Sequence, residues 1–111
     1  MNTLAQLYRH SFELLTDLYQ LTMANGYWKS SSADQDAVFH LFYRKNPFDG
    51  GYAIACGLEY VVALLQDYRF RDDDLRYLAE LQGNDNQRLF DDDFLDALRT
   101  MKFTCDVDAI P

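Results

Sequence analysis

The feature that most constrains this chain is the stretch over residues 14–28, LLTDLYQLTMANGYW, which places apolar side chains at helical spacing on two faces. Leu14, Leu18, Leu21 and Trp28 share one stripe, and Leu15, Tyr19, Met23 and Tyr27 share another. The spacing predicts a helix capped by Thr16 or Asp17 and ending near Gly26. One face serves the chain's own core, and the second contact need not lie within this chain.

Residues 37–44 change period. Phe39, Leu41 and Tyr43 point one way while Val38, His40, Phe42 and Arg44 point the other, which predicts a strand. A turn follows at 46–51, where Pro47 restricts the backbone and Gly50 and Gly51 permit positive φ. Residues 52–56 read as the returning strand of a long-looped hairpin. Alternation over 103–110 predicts a third strand, and because the sequence halts on it at Pro111 we expect a chain cut short of its full length.

Three helices are expected between these strands, over 57–68, 72–81 and 92–101. The last two open beside the runs Asp72-Asp73-Asp74 and Asp91-Asp92-Asp93, whose carboxylates suit the free N–H groups and positive dipole end of a helix start. A divalent-metal site is the alternative reading of those runs, although consecutive carboxylates at a helix start diverge. The expected fold class is α+β: a small antiparallel or mixed sheet, a long N-terminal helix and several packed helices, in a single domain over residues 1–111.

Composition removes several functions. Eighteen acidic against ten basic side chains give a net charge of -8, the wrong sign for a nucleic-acid partner. An anionic metabolite would need a local positive cluster, which Arg44 and Lys45 supply. No stretch reaches membrane-spanning length, and residues 1–10 do not read as a signal peptide. Cys56 and Cys105 lie in apolar runs without metal-ligand spacing, so buried reduced thiols and a cytoplasmic location are expected.

Two blocks carry a family resemblance. Leu14-Leu15-Thr16-Asp17-Leu18-Tyr19-Gln20-Leu21-Thr22-Met23-Ala24 with Gly26-Tyr27-Trp28 resembles the opening signature of nicotinate phosphoribosyltransferases. Phe42-Tyr43-Arg44-Lys45-Asn46-Pro47-Phe48, then Gly50-Gly51-Tyr52-Ala53 and Gly57-Leu58, resembles that family's second block. The closing Phe103-Thr104 and Ala109-Ile110-Pro111 extend the likeness to residues 12–111, with His40 departing from a position that is often acidic.

The resemblance implies the N-terminal domain of a type II phosphoribosyltransferase fold, truncated before a barrel domain. It implies nicotinate and phosphoribosyl pyrophosphate as substrates, ATP and Mg2+ for the full-length enzyme with none bound by this segment alone, and a homodimer whose site is shared between subunits. The catalytic histidine and most magnesium contacts would lie beyond Pro111, leaving no catalytic residue here and no turnover by these residues alone.

Each site residue carries two readings. Tyr19 matches the family tyrosine that stacks on the pyridine ring, a role its flat phenol suits, but its helix position alone reads as a core tyrosine. Arg44 matches a family arginine at the phosphate of phosphoribosyl pyrophosphate, its forked donors fitting paired oxygens, with Lys45 beside it; a solvated strand end is the alternative. Asp17 is a helix cap or a group that positions Tyr19, and His40 is a strand histidine or a general base without a placed partner. For the chain as a whole, the rival reading is a non-catalytic acidic interaction module using Tyr19, Tyr27 and Trp28 as a protein-binding surface.

Overall fold

The computed structural model describes residues 12–110, so the reading of residues 1–10 lies outside the described residues, as does Pro111. Among the described residues run four α-helices: α1 (Leu18–Lys29), α2 (Leu58–Gln66), α3 (Asp72–Glu80) and α4 (Asp92–Thr100), with a 3-10 turn at Pro47–Asp49.

The helix expected from residue 14 begins four residues later. Asp17 sits at the N-cap with φ -74° and ψ 143°, and the preceding residues form a turn in which the Leu15 N–H donates to the Phe12 carbonyl at 2.9 Å. Leu14 belongs to the apolar period because it packs on the core from that turn. Both aspartate runs behave as helix starts. The Asp91 carboxylate accepts the Phe94 N–H at 3.0 Å, and Asp74 reaches back to the Arg71 N–H at 2.9 Å. Gly57 precedes α2 at φ +92°, a left-handed backbone that glycine adopts without strain.

The core is the seam between α3 and α4, closed by α1. Leu75 and Leu78 of α3 meet Phe94, Leu95 and Leu98 of α4, with Phe70, Phe90 and Leu21 completing the buried cluster. These positions recur three and four residues apart, so each helix lays one stripe inward. The Asp72–Arg99 ion pair joins the start of α3 to the end of α4, which makes the two helices antiparallel. Between them the chain reverses through Gly83 N–H to the Gln87 carbonyl and Leu89 N–H to the Leu81 carbonyl, both 2.9 Å, with Asn86 at φ +59°. Lys29 at the end of α1 pairs with Asp91 at 3.2 Å.

The α+β expectation is overturned. Residues 37–44, 52–56 and 103–110 form neither strand nor helix, with a bend at Arg44, and the isolated antiparallel bridge Gln82–Arg88 is the one β pairing among the described residues. Alternation encodes an extended segment with two distinct faces; it does not supply the neighbouring strand whose N–H and C=O groups make a ladder. The 47–49 turn, with Phe48 and Asp49 at φ +58° and +52°, brings the expected hairpin arms close enough for the Tyr43 hydroxyl to donate to the Ile54 carbonyl at 3.5 Å. It does not bring them into register. Cys56 and Cys105 lie on these segments and are exposed free thiols, not buried ones, for the same reason.

The chain exposes 9999 Å². A compact monomer of its 13.0 kDa would expose about 6,300 Å². Its radius of gyration is 16.8 Å, against about 13 Å for a compact chain of this length. Much of the excess is apolar: Phe39 is 91% exposed and Phe48 100%, and Val38, Leu41, Tyr52 and Ile54 are exposed beside them.

Candidate functional site

Helix α1 meets the core at few points, and Leu18 and Trp28 of the first stripe are exposed, contrary to the sequence pattern. Leu21 and Ala24 face the core, while Leu15, Tyr19, Met23 and Tyr27, the second stripe of the sequence pattern, are all exposed. Tyr19 is 54% exposed and lies outside the core formed by this chain. Its ring stands on the first turn of α1, and its hydroxyl accepts a hydrogen bond from Gln20 Nε2 at 3.1 Å. Asp17, two residues earlier, occupies the cap position without a side-chain cap bond, which leaves its carboxylate open to solvent beside Tyr19.

Arg44 and Lys45 sit at the end of the extended arm, just before the Pro47–Asp49 turn, and both are exposed. The other cations are mostly engaged. Lys29 pairs with Asp91, Arg71 with Asp67, Arg76 with Asp73, Arg88 with Asp92, and Arg99 with Asp72 and Asp96. Among the described residues, Arg44-Lys45 is the one adjacent pair of cations with no carboxylate on either member. His40 lies exposed on the same arm, four residues before Arg44. No hydrogen bond, ion pair or ring contact among the described residues links Tyr19 to Arg44 or Lys45, so these residues stand as two separate features.

The electrostatics elsewhere are local. The Phe94 N–H first, and then the Lys29 ammonium, hold the Asp91 carboxyl below the usual carboxylate range. Burial, reinforced by the Glu13 and Asp74 carboxylates, raises the Tyr68 phenol. The Asp92 carboxylate raises the Arg88 guanidinium through their 2.8 Å contact. Asp72, Asp73, Asp74, Asp91 and Asp92 of the two aspartate runs are thus taken up by caps and ion pairs, and among the described residues no group of three or more His, Cys, Asp or Glu is arranged to hold a metal ion.

Two features were not read from the sequence. An open groove of about 550 Å³ lies between α3 and α4, lined by ion-paired residues such as Asp72, Arg76 and Arg99 over a floor of Leu75, Ala79 and Leu95. None of Asp17, Tyr19, His40, Arg44 and Lys45 lines it. The other is Glu13, 5% exposed, whose Oε1 accepts the Arg69 N–H at 3.4 Å across 56 residues of sequence. A lone glutamate ahead of a helix gives no pattern that would announce its burial.

Residues 14–111 match the family model described as nicotinate phosphoribosyltransferase (NAPRTase) N-terminal domain. The chain is 47% identical over 77 residues to the nicotinate phosphoribosyltransferase of Homo sapiens, covering 69% of this chain and 14% of that protein. It is 44% identical over 73 residues to that of Bacillus subtilis, covering 66% of this chain and 15% of that one. Nicotinate phosphoribosyltransferase pncB2 of Mycobacterium tuberculosis is 43% identical over 103 residues, 93% of this chain and 21% of that protein. The chain thus spans about a seventh to a fifth of the length of the curated relatives it matches. No solved structure matches it significantly.

Proposed function

Because this chain belongs to the nicotinate phosphoribosyltransferase family, as its N-terminal domain, we propose that it serves an enzyme that joins nicotinate to the ribose phosphate of phosphoribosyl pyrophosphate. The chain's part is binding and not bond-making. Tyr19 offers the face of its phenol to the pyridine ring, a contact that a flat, weakly polar surface makes at small cost in side-chain freedom. Arg44 takes the phosphate of phosphoribosyl pyrophosphate through its paired N–H donors, and Lys45 adds positive charge. Asp17 flanks the ring site.

The observation that carries this reading is the open pair Arg44-Lys45 in a chain of net charge -8. The pair supplies the local positive charge that an anion needs on a chain whose average field repels it. The exposed outer stripe of α1 supports the companion reading, a homodimer in which this face meets the other subunit and the site is shared.

ATP and Mg2+ belong to the full reaction, but Asp72, Asp73, Asp74, Asp91 and Asp92 are engaged in caps and ion pairs. We assign neither group to residues 12–110. Among those residues no helix is long and apolar enough to cross a membrane, and two exposed free thiols suit a reducing cytoplasm.

The test is product formation by a complete enzyme carrying this chain as its N-terminal domain. Nicotinate mononucleotide should form from nicotinate and phosphoribosyl pyrophosphate, faster with ATP than without. Turnover of nicotinamide in place of nicotinate, or none of either, contradicts the proposal.

A further inference from the structure

A buried carboxylate lies just upstream of the proposed ring-binding residue. Glu13 is 5% exposed, in a chain whose other buried acidic side chain, Asp74, works as part of a helix cap. Burying a carboxylate without compensation is costly, so the fold must hold it there by hydrogen bonds. One of these is the Arg69 N–H, in the segment that leads from α2 into α3, where Tyr68 and Phe70 pack edge to face with centroids 5.8 Å apart. Tyr68 also lies close enough for the Glu13 charge to raise its phenol pKa.

The bond joins two segments that the sequence separates, and it does so at a sensitive place. Helix α1 is fixed along its length by Leu21 in the core and at its far end by Lys29–Asp91. At its near end the turn at Phe12–Leu15 sets Leu14 on the core and Glu13 against Arg69, and the cap residue that follows, Asp17, makes no side-chain cap bond. With the Glu13 bond lost and Leu14 the remaining hold, the first helical turn, which carries Tyr19, frays or rotates more freely.

We propose that Glu13 is a positioning residue: by holding the entry of α1 to the Arg69 backbone, it sets the orientation in which Tyr19 presents its ring. The proposal rests on the assignment of Tyr19 as the ring-binding residue. Glu13 touches no substrate and acts through α1.

The experiment is steady-state kinetics on a complete enzyme carrying this chain, with Glu13→Ala, Glu13→Gln, Glu13→Asp and Tyr19→Ala, and with Leu95→Val as a core control remote from α1. Loss of the anchor should raise KM for nicotinate about fivefold or more in Glu13→Ala, a misplacement effect. KM for phosphoribosyl pyrophosphate and kcat should stay near the starting values. Glu13→Gln keeps an oxygen that accepts the Arg69 N–H and should restore the starting KM, whereas Glu13→Asp, shorter by one methylene, should fall between.

A merely structural glutamate would behave like Leu95→Val, lowering stability without moving KM. If Tyr19→Ala raises KM for nicotinate and neither Glu13→Ala nor Glu13→Asp does, the positioning role is overturned and the ring site stands. If Tyr19→Ala leaves it unchanged, the ring site falls and the positioning role with it. Should Glu13→Ala not fold, Glu13→Asp decides by the same criterion.

Discussion

Phe90→Ala should remove most of this chain's folding stability, while alanine at two equally aromatic positions should remove almost none. Phe90 is 0% exposed and its ring lies 5.6 Å from that of Phe94, tilted by 32°. Truncating such a side chain costs about 3–5 kcal/mol, through lost burial and the cavity left behind. A domain of this length has about 5–15 kcal/mol in total, and a core confined to three helices points to the lower end. With a urea slope of about 1–3 kcal/mol per molar, the midpoint should fall by about 2 M.

Phe48→Ala and Phe39→Ala remove as much aromatic surface from positions 100% and 91% exposed, and each should stay within about 0.5 kcal/mol of the parent. Urea titration of the 111-residue chain, followed by far-ultraviolet circular dichroism, reads all three. Equal losses at Phe39 or Phe48 and at Phe90 would refute the reasoning, because the extended arm would then be packed within the chain.

Two further outcomes follow from the same geometry. The folded Asp91 carboxyl titrates below its ordinary value because of the Phe94 N–H and Lys29, so the stability it contributes is present above the ordinary carboxylate pKa, about 4, and is lost as pH falls through the depressed one. The Tm gap between the parent and Asp91→Asn should therefore narrow on acidification below about pH 4, and a constant gap would count against the cap. Met23→Asp, on the exposed stripe of α1, should leave the Tm of the 111-residue chain unchanged but shift a complete enzyme from dimer to monomer in sedimentation velocity; an unshifted dimer places the interface elsewhere.

What the sequence disclosed follows from what a local pattern can encode. The period of residues 14–28 picked out the inward Leu21 and the exposed second stripe of α1 but overcounted the inward face, since Leu18 and Trp28 are exposed; the aspartate runs located the starts of α3 and α4, because capping is settled within four residues. Helix ends were less legible: Leu14 is apolar for packing from a turn, so its period overran the true start at Leu18. The sheet was misread because alternation in Phe39, Leu41 and Tyr43 describes one strand, and a ladder needs a second in register.

Site residues divide the same way. Tyr19 and Arg44 were selected through the motifs around them, and both are exposed. Glu13 was missed because its burial depends on Arg69, a residue 56 positions away that no local spacing connects to it.

The central claim is that this domain lends a complete enzyme one ring contact and one phosphate contact, and a comparison of KM values tests it most directly. Tyr19→Ala should raise KM for nicotinate by up to about tenfold, the size of a stacking contact, with KM for phosphoribosyl pyrophosphate unchanged. Arg44→Ala should do the reverse, raising KM for phosphoribosyl pyrophosphate by about ten- to a hundredfold, as loss of a charged hydrogen bond does, with KM for nicotinate unchanged. Unchanged constants in both variants, or the same rise for both substrates in each, would contradict the account.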